Sequence, residues 1–244
     1  MPNPSLPYDL VILDLDGTIL DLYHANKIPE SVRLAISAVQ AAGIPVTIGT
    51  GRTLANMRGH IDGLGITHPA ITTQGAVIGD PVTGEILAET TIPLALARRA
   101  ADWVDGQAFI AAFYFNDAEG RTRVLQNRTG PRVDFYDHVF GSPRTIQPRF
   151  ADALTVPDAH PPVKFLIVDD PDARVTPEAD IVAELQSLFA PDLYVTRTHP
   201  QLVEGTAEGI DKGHGVRRLC QLFDIDPQRV LAIGDNDNDI PMLA

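Results

Sequence analysis

Short apolar runs alternate with amphipathic segments through the first third of the chain. Residues 10–13, 46–48 and 70–72 are apolar or nearly so, and their length is typical of strands that are buried on both faces. The segments between them, 30–42 and 53–62, predict helices. Buried strands that alternate with amphipathic helices predict a Rossmann-like, doubly wound parallel α/β sheet.

The pattern changes at about residue 79. Residues 77–87 predict a hairpin, and residues 128–162, rich in Pro, Arg and Asp, favour neither helix nor strand. The other elements predicted in this region are helices at 93–104 and 177–189 and strands at 109–115 and 164–168. This mixture is typical of a mostly antiparallel α+β unit.

The alternation of strand and helix returns after about residue 200. The predicted elements there are a helix at 211–223, a strand at 229–233 and a helix that begins at Asn238. We therefore predict a discontinuous α/β core, residues 1–79 and 200–244, that is interrupted by an inserted α+β cap domain, residues 80–199.

Composition and charge narrow the class of partner. With 44% hydrophobic residues among 244, the chain can bury a sizeable core. A net charge of −13 argues against a nucleic-acid partner or an anionic membrane surface, because both need a basic face. The single cysteine, Cys220, excludes an internal disulfide, and no leader or membrane-spanning segment is apparent. We expect a cytoplasmic protein with a small-molecule ligand; the oligomeric state stays open.

Acidic residues follow both the first and the last predicted strand. Asp14 and Asp16 end the first strand beside Gly17 and Thr18, and an acidic loop, 235–239, ends the last strand. Carboxyl ends of parallel strands meet at one edge of a sheet, so these carboxylates should converge. Converging carboxylates repel one another unless a cation lies among them. The pattern therefore predicts a metal site.

The acidic loop resembles a calcium-binding loop only superficially. Asp235, Asp237 and Asp239 alternate, but an EF-hand requires Gly directly after the third acid and Glu six residues later, and isoleucine follows in this chain. We expect a loop that opens a helix, with Asn238 or Asp239 as N-cap and Pro241 in the first turn. Capping accounts for one of these residues but not for three carboxylates.

Two basic or hydroxyl-bearing positions indicate an anionic ligand. Lys212 opens a helix that Asp211 should cap, where the positive end of the helix dipole disfavours a lysine unless an anion is near. Thr50-Gly51-Arg52 follows the second strand at a helix start, where a hydroxyl and backbone amides can hold phosphate oxygens. An exposed lysine and an ordinary helix cap with a surface arginine are the alternatives.

The order of these motifs resembles the haloacid dehalogenase superfamily. A DxDGT after the first strand, a Thr after the second, a Lys that opens a late helix and a GDxxND after the last strand are similar to its four motifs. Gln74-Gly75-Ala76 is similar to the Asn-Gly-Ala turn of the family. A large insertion between the second and third motifs resembles the Cof-type branch, whose members are mostly Mg²⁺-dependent phosphatases, many of them acting on sugar phosphates.

The resemblance implies a role for each matching residue. Asp14 would attack phosphorus to form an aspartyl-phosphate, and Asp16 would act as general acid and then as general base. Thr50 and Lys212 would hold the phosphoryl oxygens. The implied Mg²⁺ ligands are Asp14, the backbone carbonyl of Asp16, Asp235 and Asp239, the last directly or through water. The candidate substrate-binding residues are Gly51, Arg52 and Asn238.

The resemblance also leaves alternatives open. A phosphohexomutase with the same core chemistry, or a non-catalytic ligand-binding relative, would carry similar motifs. Hydrolytic dehalogenases of the superfamily lack an acid at the position of Asp16, so this residue favours phosphoryl transfer. Gln74 departs from the family's Asn. Members usually continue through another strand and helix, so we expect the last strand to lie at an exposed sheet edge.

Substrate specificity should lie in the cap, between about residues 80 and 200, which in this branch closes over the leaving group. The polar candidates there are Arg123, Arg128, Arg132, His138 and His199. Each also fits an ordinary surface or packing residue.

Overall fold

The computed structural model describes residues 6–21, 27–117, 121–130, 132–141, 143–169 and 180–244. The chain divides into two compact units, residues 1–89 with 210–244, and residues 90–209. This division runs later in the chain than the boundaries predicted at 79/80 and 199/200. The reason is that Ile86–Glu89 pairs within the first unit, whereas Leu202–Ala207 pairs within the second.

Helices and strands occur in all three segments of the chain. The first segment of the first unit contains β1 (Leu10–Leu13), α1 (Glu30–Ala41), β2 (Val46–Ile48), α2 (Leu54–Arg58), β3 (Ala70–Thr72), β4 (Val77–Gly79) and β5 (Ile86–Glu89). The inserted unit contains α3 (Leu94–Asp105), β6 (Ile110–Asn116), β7 (Thr122–Gln126), α4 (Val133–Phe140), β8 (Arg144–Ile146), α5 (Phe150–Leu154), β9 (Lys164–Val168), α6 (Ile181–Phe189), β10 (Leu193–His199) and β11 (Leu202–Ala207). The closing segment contains α7 (Lys212–Phe223), β12 (Val230–Ile233) and α8 (Ile240–Leu243). In the part of the chain described, no helix has the length and apolar character needed to cross a membrane.

The first unit is built on a parallel sheet. β1 lies between β2 and β12 and pairs with both in parallel, so that β12 lies at the edge of the sheet. β3 runs beside the end of β2 through a parallel bridge between Gly49 and Ile71, and then pairs antiparallel with β4. The predicted α/β fold with a parallel core sheet is confirmed.

Both faces of this sheet are covered. Ile36 of α1 and Met57 of α2 are buried in one apolar cluster with Val11 and Leu13. Val216, Leu219 and Cys220 of α7 are buried in a second cluster with residues 10 and 12 of the same strand. Successive side chains of a strand point to opposite faces, so a continuous apolar run serves both layers. Cys220 is thus a buried core residue.

Two helices are shorter than predicted. α2 was expected over residues 53–62 but ends at Arg58, before Gly59 and the left-handed Gly63, whose φ is +75°. α8 begins at Ile240, after a 3₁₀ turn at Asp237–Asp239. Glycine lowers helix propensity, and a tight turn uses up the residues that would have formed the first helical turn.

The inserted unit has the α+β architecture that was predicted. Its sheet has the strand order β10-β11-β9-β6-β7-β8, in which all neighbours are antiparallel except β7 and β8. The region 128–162, where the sequence pattern favours neither helix nor strand, contains α4, β8 and α5. Of the helix predicted at 177–189, the described part is α6, which Asp180 caps; residues 177–179 lie outside the described residues.

Candidate active site

Strand register brings the polar residues of three chain segments to one edge of the core sheet. Leu13 is aligned with Ile48 on one side and with Ile233 on the other. The backbone N–H of Asp14 donates to the carbonyl of Ile233 at 2.9 Å, so β1 and β12 stay paired up to the acidic residues. The residues that follow all three strands therefore emerge together at their carboxyl ends.

Lys212 joins two carboxylates in the interior of this site. Its Nζ donates to Asp14 Oδ1 at 2.5 Å and also to Asp239 Oδ1. All three residues are buried. Asp211 caps α7 by accepting from the N–H of His214 at 2.6 Å, which places Lys212 at the first position of the helix. The two carboxylates explain how a lysine is tolerated at the positive end of a helix, and an exposed lysine is excluded.

The pKa values of Asp14 and Lys212 depend on each other and on the neighbouring carboxylates. Burial raises the pKa of Asp14 to about 6, the neighbouring Asp239 and Asp16 act in the same direction, and Lys212 opposes them. Burial alone would lower the pKa of Lys212, but the charges of Asp14 and Asp239 outweigh it and the pKa is raised. Lys212 is thus a permanent cation, while Asp14 lies close to protonation below neutral pH.

The acidic loop is held by its own hydrogen bonds. Thr18 Oγ1 donates to Asp235 Oδ1 at 2.8 Å, and Asp239 Oδ2 accepts from the N–H groups of Asp235 and Asn236, both at 3.1 Å. Asn236 caps the 3₁₀ turn, and Asp239 is the N-cap residue of α8, one of the two that were predicted. The Asp239 side chain bonds back to the loop, however, and makes no capping hydrogen bond to that helix. The close approach at Gly17 (φ +91°) explains that glycine, since a Cβ there would lie 2.5 Å from Asp235 Oδ2.

Three of the predicted metal ligands form one group. Asp14, Asp235 and Asp239 each offer a carboxylate oxygen, and these atoms lie within 4.8 Å of one another. Asp237 is exposed and belongs to no such group among the described residues. Asp16 directs its carboxylate to Arg52, which is compatible with the prediction that it would bind a metal through its backbone carbonyl.

The balance of charge fits a divalent cation. Four carboxylates, those of Asp14, Asp16, Asp235 and Asp239, face two cations, those of Lys212 and Arg52. Four negative charges less two positive ones leave two negative charges at the site. Clustered carboxylate oxygens are also the hard donors that Mg²⁺ prefers.

Arg52 makes an extended set of contacts next to this group. Its Nη2 and Nε donate to the two oxygens of Asp16 at 2.7 and 2.8 Å, and its Nη1 contacts Asn56 Oδ1 at 2.9 Å and His60 Nε2 at 3.0 Å. Its backbone N–H donates to Oγ1 of the buried Thr50 at 3.2 Å. Asn56 and His60 were not predicted as site residues, although they lie four and eight residues after Arg52, a spacing typical of one helical face.

Asn238 reaches a turn that also shapes the start of α7. Its Nδ2 donates to Gln74 Oε1 at 3.2 Å, and both residues are buried. Gln74 and Gly75 adopt left-handed backbone conformations, and a Cβ at Gly75 would lie 1.9 Å from the carbonyl oxygen of Asp211. Gln74, which stands where the family resemblance expects Asn, thus links the turn to the acidic loop.

Several polar candidates of the inserted unit have contacts within that unit. The set predicted from the sequence is Arg123, Arg128, Arg132, His138 and His199. Arg128 donates to two backbone carbonyls, and the Arg132 guanidinium lies 3.8 Å from the centre of the Phe135 ring. Burial lowers the pKa of His199, whose Nδ1 accepts from the N–H of Gln201 at 3.3 Å. Their part in specificity stays a prediction.

Comparison with known proteins gives a consistent result. The model of the haloacid dehalogenase-like hydrolase family matches residues 11–244. YxeH of Bacillus subtilis, whose name proposes a phosphatase activity, is 26% identical over 97% of this chain and 84% of its own length. The phosphoglycolate phosphatase of Methanopyrus kandleri is 27% identical over 96% of this chain and 79% of its own length.

A solved structure agrees in fold. The structure of a HAD/COF-like hydrolase from Plasmodium vivax superposes with a TM-score of 0.77 at 22% identity, over 98% of this chain and 82% of that one. The family match spans the strand-end motifs and the inserted unit alike. The chain therefore belongs to the haloacid dehalogenase-like hydrolases, in their Cof-type branch, and is a phosphoric monoester hydrolase.

Proposed function

We propose that this protein is a Mg²⁺-dependent phosphatase that hydrolyses a small phosphorylated metabolite, a sugar or sugar-acid phosphate, through an aspartyl-phosphate intermediate. One observation carries the proposal: the buried Asp14 carboxylate is paired with Lys212 beside the carboxylates of Asp235 and Asp239. A nucleophile, a fixed cation and a set of metal ligands thus lie at one sheet edge. Catalysis of phosphoryl transfer depends on positioned groups and on cations that stabilise the charge of the phosphoryl group, and this combination would supply both.

The two half-reactions follow from the positions of two carboxylates. A carboxylate oxygen of Asp14 forms a bond to phosphorus while the bond to the leaving oxygen breaks, and that oxygen takes a proton from Asp16. A water oxygen then forms a bond to phosphorus and gives its proton to Asp16, while the bond between phosphorus and the Asp14 oxygen breaks. Inorganic phosphate leaves and the Asp14 carboxylate is restored. Asp16 suits this exchange because its side chain is 32% exposed, whereas Asp14 is buried.

The remaining residues would balance the charge of the phosphoryl group and bind the metal or the substrate. Lys212 carries a positive charge beside the attacking carboxylate, and the buried Thr50 lies just after the neighbouring strand β2. Asp14, Asp235, Asp239 and the backbone carbonyl of Asp16 would hold Mg²⁺. Bound there, the ion would screen the negative charge of the phosphoryl group against that of the carboxylates. Gly51, Arg52 and Asn238 are the residues predicted to contact substrate.

The substrate class is drawn from relatives. Phosphoglycolate, named for the relative from Methanopyrus kandleri, is a phosphate ester of a small hydroxy acid. Many members of the Cof-type branch act on sugar phosphates, as the family resemblance implies. Both are small phosphate esters of hydroxylated compounds, and this shared chemistry supports the proposed class.

A phosphate-release assay tests the proposal. Phosphorylated sugars, sugar acids, nucleotides and cofactors are each incubated with the protein in Mg²⁺ and then in excess EDTA. We expect metal-dependent release from a few related sugars or sugar acids. Asp14→Asn should lower kcat by about 10⁴-fold or more because it removes the nucleophile, whereas Asp237→Asn, at an exposed position outside the ligand group, should retain activity.

Other outcomes would contradict the proposal in different ways. Release by Asp14→Asn at the wild-type rate would exclude the covalent route. Interconversion of phosphosugar isomers without release, dependent on a bisphosphorylated activator, would indicate the mutase. Absence of any turnover in a folded protein would favour the non-catalytic relative.

A further inference from the structure

We propose that Arg52, itself held by Asn56 and His60, is a positioning residue that orients the carboxylate of Asp16 for proton transfer. The inference rests on the proposed function, since it assigns Asp16 the exchange of protons with the leaving group and with water. It gives Arg52 a different task from direct substrate binding and adds two residues that the motifs do not include.

The geometry of the pair favours orientation. The guanidinium meets both oxygens of Asp16 in a two-pronged contact, at 2.7 and 2.8 Å. Such a fork fixes the plane of a carboxylate, which a single hydrogen bond does not. Each carboxylate oxygen retains a second lone pair, so Asp16 remains able to contact another oxygen while it is held.

The side chains of Arg52 and Asp16 differ in their exposure to solvent. The side chain of Arg52 is 10% exposed and that of Asp16 is 32% exposed. A ligand that approaches from solvent would therefore reach the carboxylate more readily than the guanidinium behind it. This arrangement suits a residue that acts through Asp16.

The other face of Arg52 is also engaged. Arginine has five N–H donors and no acceptor, and its contacts with Asp16, Asn56 and His60 comprise four hydrogen bonds. Because arginine only donates, Nε2 of His60 accepts in this contact. Asn56 lies in α2, and His60 donates from its backbone N–H to the carbonyl of Met57, so hydrogen bonds hold the backbone at both residues. Four of the five donors are thus engaged, so Arg52 could bind a phosphoryl oxygen through any of these four only by breaking a contact with Asp16, Asn56 or His60.

The test compares leaving groups, because a misplaced acid harms poor leaving groups more than good ones. Arg52→Lys keeps the charge and removes the fork. The readout is kcat/KM, which covers transfer to Asp14 but not the later hydrolysis that all substrates share. With Mg²⁺ present, kcat/KM of this variant should fall by about 10- to 100-fold for alkyl phosphates, with KM within about 3-fold of wild type, and should fall much less for p-nitrophenyl phosphate. Asn56→Ala should also lower the rate more for alkyl phosphates than for p-nitrophenyl phosphate, by a smaller factor than Arg52→Lys does.

A kinetic double-mutant cycle separates positioning from substrate binding. In an Asp16→Asn background, the leaving-group dependence across a series of aryl phosphates should no longer change when Arg52→Lys is added, because there is no acid left to orient. Arg58→Lys is the matched control. Arg58 is an exposed arginine that donates to the backbone carbonyl of Val82, and its replacement should leave every rate unchanged.

Contrary results are readily recognised. Equal losses for good and poor leaving groups, with KM raised in both backgrounds, would mean that Arg52 binds the substrate, and would overturn its role as a positioning residue. If Arg52→Lys does not fold, as judged by circular dichroism, His60→Gln and Asn56→Ala take its place in the test. The inference would be overturned if neither variant changed the leaving-group dependence. Absence of metal-dependent phosphate release by the wild type would instead contradict the proposed function itself.

Discussion

At the scale of single residues, Asp14 combines two opposing influences. It is buried beside a lysine, yet burial prevails and its pKa rises from 3.8 to about 6. Between these two values the folded protein binds more protons than the unfolded chain. The contribution of Asp14 to stability is therefore greatest at low pH and is lost as the pH rises through about 6.

The loss of this contribution with rising pH can be tested in the metal-free protein. In EDTA, the free energy of unfolding of the wild type minus that of Asp14→Asn should fall between pH 4 and pH 7, by about 3 kcal/mol at most. Urea denaturation at several pH values measures both free energies of unfolding. Subtraction of the value for the variant cancels the contribution of other groups that titrate in the same range. A difference that is constant or rises with pH would contradict the inference.

Much of the site at this scale could be predicted from sequence. Asp14, Asp16, Thr50, Lys212 and the acidic loop were identified because each follows a recognisable strand or opens a helix. The contacts of Asn56 and His60 with Arg52, and of Gln74 with Asn238, could not be predicted. Those contacts depend on rotamers and on loops that meet only in the folded unit, and single-sequence patterns carry no information on either.

At the scale of elements, the turn after β3 sets where α7 begins. Gly75 adopts φ +90°, and a Cβ there would overlap the carbonyl of Asp211, the residue that caps α7. The turn and the helix start are thus in backbone contact. Any side chain at this position must displace the helix that carries Lys212.

Gly75→Ala should therefore destabilise the protein by about 3 kcal/mol or more, the sum of left-handed strain and steric overlap. Gly209→Ala is the matched control. Gly209 also has a left-handed backbone (φ +67°), but a Cβ there would have nothing within 4 Å, so only about 1 kcal/mol of conformational cost is expected. Chemical denaturation measures both values. Equal losses would show that the overlap with Asp211 carries no cost.

Strands were predicted correctly where their sequence is uniformly apolar, as in β1, and missed where buried polar residues interrupt the run. β11 contains Glu204, which is buried and accepts from Lys164 of β9 at 2.6 Å. A buried charge is acceptable only when its partner is present, and that partner lies 40 residues earlier in the chain. The local pattern of β11 therefore gives no indication of a strand.

At the scale of the whole molecule, the candidate metal ligands come from both segments of the discontinuous first unit. Asp14 belongs to the segment before the insertion, and Asp235 and Asp239 belong to the segment after it. A cation bound to all three would join the two segments. Its binding energy would then add to the stability of the folded unit, because the unfolded chain does not hold the three together.

Mg²⁺ at 100 times its dissociation constant should raise the free energy of unfolding by about 2.7 kcal/mol, with a Tm higher by about 5 °C. Asp235→Asn removes one ligand and should reduce the shift, whereas Asp237→Asn should keep it. Thermal unfolding with and without EDTA gives the comparison. An identical shift in wild type and Asp235→Asn would place the ion elsewhere.

The pairing of β1 with β12 also bears on how the protein is made. The hydrogen bond from Thr18 to Asp235 spans 217 residues of sequence. A ribosome delivers the chain from its N-terminus at about 5–20 residues per second, so Asp14 emerges more than ten seconds before the acidic loop. During that interval β1 has no β12 beside it, and the nascent chain has Asp14, the proposed nucleophile, without the acidic loop. Activity should therefore appear only once the last strand has been synthesised, whatever structure the earlier segments have already formed.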